Sequence, residues 1–171
     1  MANRLDLRKD FDELYSYVVK RVKSFDPETN DGPGAPGPVG YIEFGFSFEQ
    51  SGWVVLVFDT RTDAQPDGEW NAHIEGNDML RSKWLSACDT LNEKPLTIVL
   101  PDGAERKLPP ESHDDFATIL GDLLKAVLLK AKANGVFAAL PKRLRCEIGV
   151  EEHEGRYGWP FYEDRGKENL L

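Results

Sequence analysis

The sequence lacks any apolar run near the ~18 consecutive residues that a membrane-spanning helix requires. Residues 1–12 alternate charged residues with single apolar ones and contain no apolar core segment, so we expect no secretory leader unless one was removed before this sequence begins. Together these two absences predict a soluble protein of the cytoplasm that does not insert into a membrane.

Cysteine is scarce, with two residues, Cys88 and Cys146, far apart and without the CxxC spacing of many metal sites. This pattern favours reduced, buried thiols over a disulfide.

Motifs for metal or phosphate binding are also absent. The glycines of residues 32–40 alternate with prolines, which cannot donate the N–H groups of a phosphate loop. The three histidines, His73, His113 and His153, form neither an HExxH nor a Cys/His zinc pattern. We therefore expect no cofactor and no metal.

Basic residues are nearly missing from one stretch of the chain. Residues 26–80 contain one base, Arg61, against eleven acids, so this stretch carries a net charge of −10 in a chain whose total is −9. Such a surface repels phosphate backbones, which argues against nucleic acid and anionic membranes as ligands. It would attract a basic partner or a cation. The alternative is that the net negative charge simply keeps the protein soluble.

The 171 residues fit one α+β domain, residues 1–171, interrupted by a Pro/Gly-rich loop at 27–39. Apolar residues recur at three- and four-residue steps in three segments, which predicts three amphipathic helices. The predicted helices cover about residues 3–25, 78–92 and 112–134. The second of them places Cys88 on its inner face.

Alternating or apolar runs predict the strands. Residues 40–48 and 53–58 form one predicted hairpin, and residues 96–100 and 104–108 form another. The nearly continuous apolar run of 53–58 favours a central position in the sheet. A last strand covers 144–150, with Cys146 inward. The predicted fold is therefore a mostly antiparallel sheet of about five strands with three helices, in the order α-ββ-α-ββ-α-β.

The acidic segment, residues 59–78, is the first candidate binding surface. Asp67-Gly68 resembles part of a calcium-binding loop only weakly, because Asp59, Asp63 and Asp67 are four residues apart. An EF-hand loop instead places oxygens at every second position. The same carboxylates could act as a general acid–base pair, with Trp70 as a platform for a sugar. The candidate partner-binding residues here are Asp59, Asp63, Asp67, Glu69, Trp70, Glu75 and Asp78.

The aromatic C-terminal tail, residues 155–171, is the second candidate surface. Four aromatic residues lie within six positions, and aromatics with arginine dominate binding hot spots. The tail could anchor a protein partner, or it could fold back onto the sheet or between helices. Its candidate residues are Tyr157, Trp159, Phe161 and Tyr162.

These features favour a non-enzymatic interaction protein that binds a basic partner by electrostatic steering and hydrophobic anchoring. In composition alone, the chain is like small acidic inhibitors of basic toxic enzymes, such as bacterial immunity proteins. One alternative is a carbohydrate-binding or hydrolytic domain that uses the carboxylates with Trp70. Another is a structural protein that self-associates through the tail, and the oligomeric state stays open. A nucleophilic Cys–His pair would need an exposed cysteine, and both cysteines are predicted to be buried.

Overall fold

The computed structural model describes residues 3–26, 37–49, 52–60, 78–159 and 171, with residues 78–82 described by their backbone. The strands are β1 (Arg4–Asp6), β2 (Val39–Ser47), β3 (Trp53–Asp59), β4 (Leu96–Val99), β5 (Glu105–Leu108), β6 (Lys142–Glu152) and β7 (Gly158–Trp159). The helices are α1 (Arg8–Ser24), α2 (Asp78–Glu93), α3 (His113–Ala133) and a short 3₁₀ helix, Val136–Ala139. The α+β class and the three α-helices are confirmed.

The strands form two mixed sheets, so the prediction of one mostly antiparallel sheet of about five strands is wrong. In the three-stranded sheet, the order is β1-β4-β5, with β1 parallel to β4 and β4 antiparallel to β5. In the four-stranded sheet, the order is β3-β2-β6-β7, and β2 is parallel to β6. Both predicted hairpins are present, but the final long strand returns to pair with β2 in parallel, about a hundred residues away in sequence.

The chain begins with a strand where a helix was predicted, which changes the predicted element order. Leu5 lies opposite Ile98 in the parallel β1–β4 pair, and the backbone N–H of Leu7 donates to the carbonyl of Val99 at 2.9 Å. Leu5 and Leu7 are both buried. They are two residues apart, which is the repeat of a strand, and the helical repeat starts with the next apolar residue, Phe11.

β3 is an edge strand among the described strands, because its one pairing partner is β2, with Phe44 opposite Leu56. The predicted central position is therefore wrong. Six of its seven residues are nevertheless buried. Its continuous apolar run thus reflects cover over both faces, and such cover does not require a strand on each side.

A single cluster of buried apolar side chains draws from both sheets and all three helices. α3 packs against α1 and against β6, while α2 contacts strands of both sheets, β1, β4 and β3. Cys88 on α2 and Cys146 on β6 are buried free thiols, as the sequence predicts. Within the described part of the chain, no helix is both long and apolar enough to cross a membrane.

The described part of the aromatic tail folds back onto this core. β7 pairs with β6, with Trp159 opposite Val150, and the Tyr157 hydroxyl donates to Asp122 Oδ1 at 2.9 Å. The Tyr157 ring lies directly over Gly121 of α3, where a Cβ atom would come within 2.4 Å of the ring. A glycine at this helix position is what lets the tail approach so closely.

Candidate functional site

The structure places the residues of the acidic segment in different settings. Asp59, the last residue of β3, is 3% exposed, so its carboxylate does not face solvent. Asp78 is the first residue of α2, and its backbone is described. Five other residues predicted here lie outside the described residues: Asp63, Asp67, Glu69, Trp70 and Glu75. The segment therefore starts from a buried strand end and finishes at the start of a helix.

Of the four predicted tail residues, the structure describes two. Tyr157 packs on α3, and burial, reinforced by the neighbouring Asp122 carboxylate, raises the pKa of its hydroxyl well above the usual range. Trp159 is half-buried in β7, with the Lys125 ammonium 4.9 Å from its ring centroid. Phe161 and Tyr162 lie outside the described residues. In the structure, Tyr157 and Trp159 thus make contacts within the chain itself.

A polar cluster that the sequence did not predict lies where β2, α2 and α3 meet. It consists of Glu49, two residues beyond β2, Cys88 of α2 and His113, the first residue of α3. The Cys88 sulfur is 3.8 Å from His113 Nδ1, and the same nitrogen is 3.3 Å from Glu49 Oε1. One carboxylate oxygen, one imidazole nitrogen and one sulfur lie within 4.8 Å of one another.

Arg156, from the turn before β7, closes one side of this Glu49–Cys88–His113 cluster. Its Nη1 is 2.9 Å from Glu49 Oε1, and its Nε is 3.3 Å from Asp114 Oδ1. The guanidinium carbon also lies 5.7 Å from the ring centroid of Phe48. Arg156 therefore has two carboxylate partners and an aromatic face.

Aromatic packing holds the His113 ring in place. The ring stacks on Phe48, with centroids 6.3 Å apart and an interplanar angle of 7°. Phe48 in turn contacts Phe116 edge-on at 5.1 Å. Both phenylalanines are fully buried, whereas the His113 and Glu49 side chains are 20% and 30% exposed. The cluster thus has a rigid apolar wall and an edge open to solvent.

The position of Cys88 does not suit it for nucleophilic catalysis, even though His113 is close by. Burial, followed by the charges of Glu49 and Asp89, raises the pKa of the Cys88 thiol to about 11, and Arg156 opposes this weakly. Nucleophilic cysteines need a depressed pKa and access to substrate. The Cys88 side chain is 3% exposed. As a free thiol it is therefore a protonated, enclosed group.

This cluster was not predicted from the sequence, because its consecutive members are 39 and 25 residues apart. Metal motifs are recognised when two or more ligands share one helix or one turn, and here each ligand comes from a different element. The burial of Cys88 and the start of α3 were both predicted correctly. The contact between Cys88 and His113, however, depends on how the two helices pack.

Near Arg156, Glu152 is a fully buried carboxylate at the end of β6. Its Oε2 accepts the backbone N–H groups of Glu154, at 2.8 Å, and Arg156, at 3.2 Å. Its Oε1 has no hydrogen-bond partner in the described structure. Burial raises the pKa of Glu152 above the ordinary 4.5, although the two backbone donors and Arg156 lower it in part.

We expect the melting temperature of Glu152→Gln, relative to that of the wild type, to increase as the pH rises from 4 to 7. A carboxyl with a raised pKa binds its proton more tightly in the folded state, so its contribution to stability falls as the pH rises through that pKa. The neutral amide removes this cost while its oxygen can still accept the two N–H groups. Thermal unfolding across this pH range measures the effect, with the exposed Glu111→Gln as control. A stability difference that does not vary with pH would contradict it.

Comparison with known proteins found no match among family models, curated proteins or solved structures.

Proposed function

We propose that this chain is a non-enzymatic interaction protein that binds a basic protein partner through its acidic segment. The observation that carries the proposal is the charge pattern, since the sequence has no Lys or Arg between Thr62 and Leu80. Five acids fall within that interval: Asp63, Asp67, Glu69, Glu75 and Asp78. A field of one sign steers an oppositely charged partner into encounter and raises the association rate.

The fold supports the proposal by fixing both ends of the segment. β3 ends at the buried Asp59, and α2, which begins at Asp78, packs on strands of both sheets. Asp59 is excluded from the proposed contact surface because it is buried. Trp70 is the proposed hydrophobic anchor, because a tryptophan within a charged surface is a frequent hot spot. Tyr157 and Trp159 are left out, because they pack within the chain.

An inhibitor-like role, of the kind that bacterial immunity proteins have toward basic toxic enzymes, fits this profile by composition. A cytoplasmic location belongs to the same proposal, because free buried thiols such as Cys88 and Cys146 are typical of reducing compartments. A hydrolytic role has less support. One of its predicted carboxylates, Asp59, is buried in the interior and cannot reach a substrate at the surface.

The proposal predicts that neutralising the segment abolishes partner capture. The variant Asp63→Asn, Asp67→Asn, Glu69→Gln, Glu75→Gln and Asp78→Asn changes the net charge from −9 to −4. The immobilised protein is exposed to lysate of the organism that encodes it. We expect the wild type to retain a basic protein at low salt and release it at high salt, and the variant to retain none.

The matched control changes the net charge equally at exposed carboxylates elsewhere on the surface. It carries Asp89→Asn, Glu93→Gln, Asp102→Asn, Glu111→Gln and Asp115→Asn, all at positions exposed in the structure. This control should capture as much partner as the wild type does. Equal loss in both variants would mean that net charge alone matters, and unchanged capture by the segment variant would refute the proposed surface.

A further inference from the structure

Three side chains that bind transition metals in other proteins meet in the Glu49–Cys88–His113 cluster, although no sequence motif connects them. We propose that Glu49, Cys88 and His113 form a binding site for a Zn²⁺ ion, with a fourth coordination position open to water or to a ligand. The site lies outside the acidic segment and does not depend on the proposed partner binding.

Two of the three ligand spacings are close to what a tetrahedral zinc ion requires, and the third, between the Cys88 sulfur and a Glu49 oxygen, is within 4.8 Å. Bond lengths of ~2.0–2.1 Å to nitrogen and oxygen, at tetrahedral angles, place two such ligands ~3.3–3.4 Å apart. The observed His113 Nδ1 to Glu49 Oε1 distance is 3.3 Å. With a zinc–sulfur bond of ~2.3 Å, a thiolate and an imidazole nitrogen lie ~3.6 Å apart. The observed Cys88 Sγ to His113 Nδ1 distance is 3.8 Å.

The chemistry of the three donors selects the metal. Calcium and magnesium prefer sites made of oxygen ligands alone, whereas a sulfur, a nitrogen and an oxygen together suit a borderline-soft ion such as zinc. Structural zinc sites are closed by four protein ligands, and sites with three keep a position for water or substrate. Among the residues that the structure describes, three ligands meet here, so this set is of the second kind.

The surroundings allow an ion to enter and hold the ligands in position. Glu49 and His113 are 30% and 20% exposed, so an ion can reach them from solvent, with the Cys88 sulfur behind them. The stack of His113 on Phe48 fixes the direction of the imidazole. Arg156 contacts the same Glu49 oxygen at 2.9 Å and must give way, and Asp114, 3.3 Å from its Nε, offers an alternative partner.

Such an ion would connect three elements that are far apart in sequence. Glu49 follows β2, Cys88 lies on α2 and His113 starts α3. A ligand that binds the folded state and not the unfolded state stabilises the fold by mass action. Zinc at about a hundred times its dissociation constant should therefore raise the melting temperature by roughly 5–10 °C in a chain of this size.

Metal titration of the full chain, stripped with a chelator and kept reduced, tests the site. Co²⁺ is the spectroscopic probe, because a tetrahedral cobalt–thiolate site gives intense charge-transfer and visible bands that zinc then abolishes by displacement. We expect one equivalent of Co²⁺ to bind with these bands. Cys88→Ser should remove the charge-transfer band, and Cys146→Ser, which alters the other buried thiol, should retain it.

Two further variants keep the test decisive if Cys88→Ser does not fold. Glu49→Gln and His113→Gln change partly exposed side chains, and each removes a ligand, so each should weaken zinc binding by at least the ~10–100-fold that loss of an outer-shell partner alone costs. His153→Gln, at an exposed histidine, is their control and should bind as the wild type does. Failure of the wild type to bind one equivalent, or equal binding by the Glu49 and His113 variants, would overturn the site and leave the cluster as an ion-pair network alone.

Discussion

Replacing Gly121 with leucine is expected to destabilise the protein by about 3 kcal/mol, at the upper end of the cost of overpacking a core. A Cβ atom on residue 121 would lie 2.4 Å from Cγ and Cδ1 of Tyr157. These atoms are at the base of the ring, so a small rotation of the side chain cannot remove the clash. Relief requires the tail to move away from α3, which would also break the Tyr157–Asp122 hydrogen bond.

Chemical denaturation measures this change in the free energy of unfolding. Ala126→Leu is the control, because Ala126 is an exposed position of the same helix and its replacement should change stability by less than ~0.5 kcal/mol. Tyr157→Ala should make the Gly121→Leu substitution much less harmful when the two are combined. A Gly121→Leu protein as stable as the wild type would show that the tail does not lie on α3.

Asp10→Ala is expected to cost about 2–4 kcal/mol, because it removes the acceptor for two groups. Asp10 occupies a position on the buried face of α1, in step with Leu14, Val18 and Val22. Its Oδ2 accepts the Trp84 indole N–H at 2.9 Å, and its Oδ1 pairs with the Lys83 ammonium. Without the carboxylate, the fully buried indole N–H has no partner, which accounts for most of the cost.

Lys83 limits the size of the effect. Its side chain is 34% exposed, so the ammonium can turn toward water when Asp10 is removed. Asp10→Asn should therefore be milder than Asp10→Ala, because an amide oxygen can still accept the indole N–H. Trp84→Phe removes the donor, and in that background Asp10→Ala should cost less. Equal costs for Asp10→Ala and the exposed Asp12→Ala would refute this account.

The parts of the fold that local patterns determine were predicted from the sequence. The β2–β3 and β4–β5 hairpins and the long helix α3 each depend on a short-range repeat with turn residues beside it. The buried environments of Cys88 and Cys146 were also predicted, because each lies in step with apolar neighbours on its own element.

The remaining features depend on contacts between distant parts of the chain. β1 is three residues long, and its Leu5 and Leu7 run directly into the helical repeat of α1, so periodicity could not separate the two elements. The parallel pairing of β2 with β6 joins segments about a hundred residues apart, and neither strand's pattern specifies that partner. The Glu49–Cys88–His113 cluster is hidden for the same reason, since packing alone brings its members together.

The acidic segment differs from this cluster in how it can be recognised. Its charge composition indicates a binding surface, and local structure does not. The excess of acids between Thr62 and Leu80 is a property of the sequence. Attraction of a basic partner depends on how many charges of one sign lie close together more than on the backbone conformation that displays them. The acidic segment could therefore be proposed as a binding surface without knowledge of its backbone.

The most direct test of the proposed function is the salt dependence of binding to the purified partner, measured for the wild type and for the segment variant. We expect the wild-type association rate to fall steeply with added salt, and the variant to associate about tenfold or more slowly at low salt with little salt dependence. The control with five neutralised carboxylates elsewhere should behave as the wild type. A wild-type association rate that does not change with salt, or a segment variant that binds as fast as the wild type at low salt, would contradict the account.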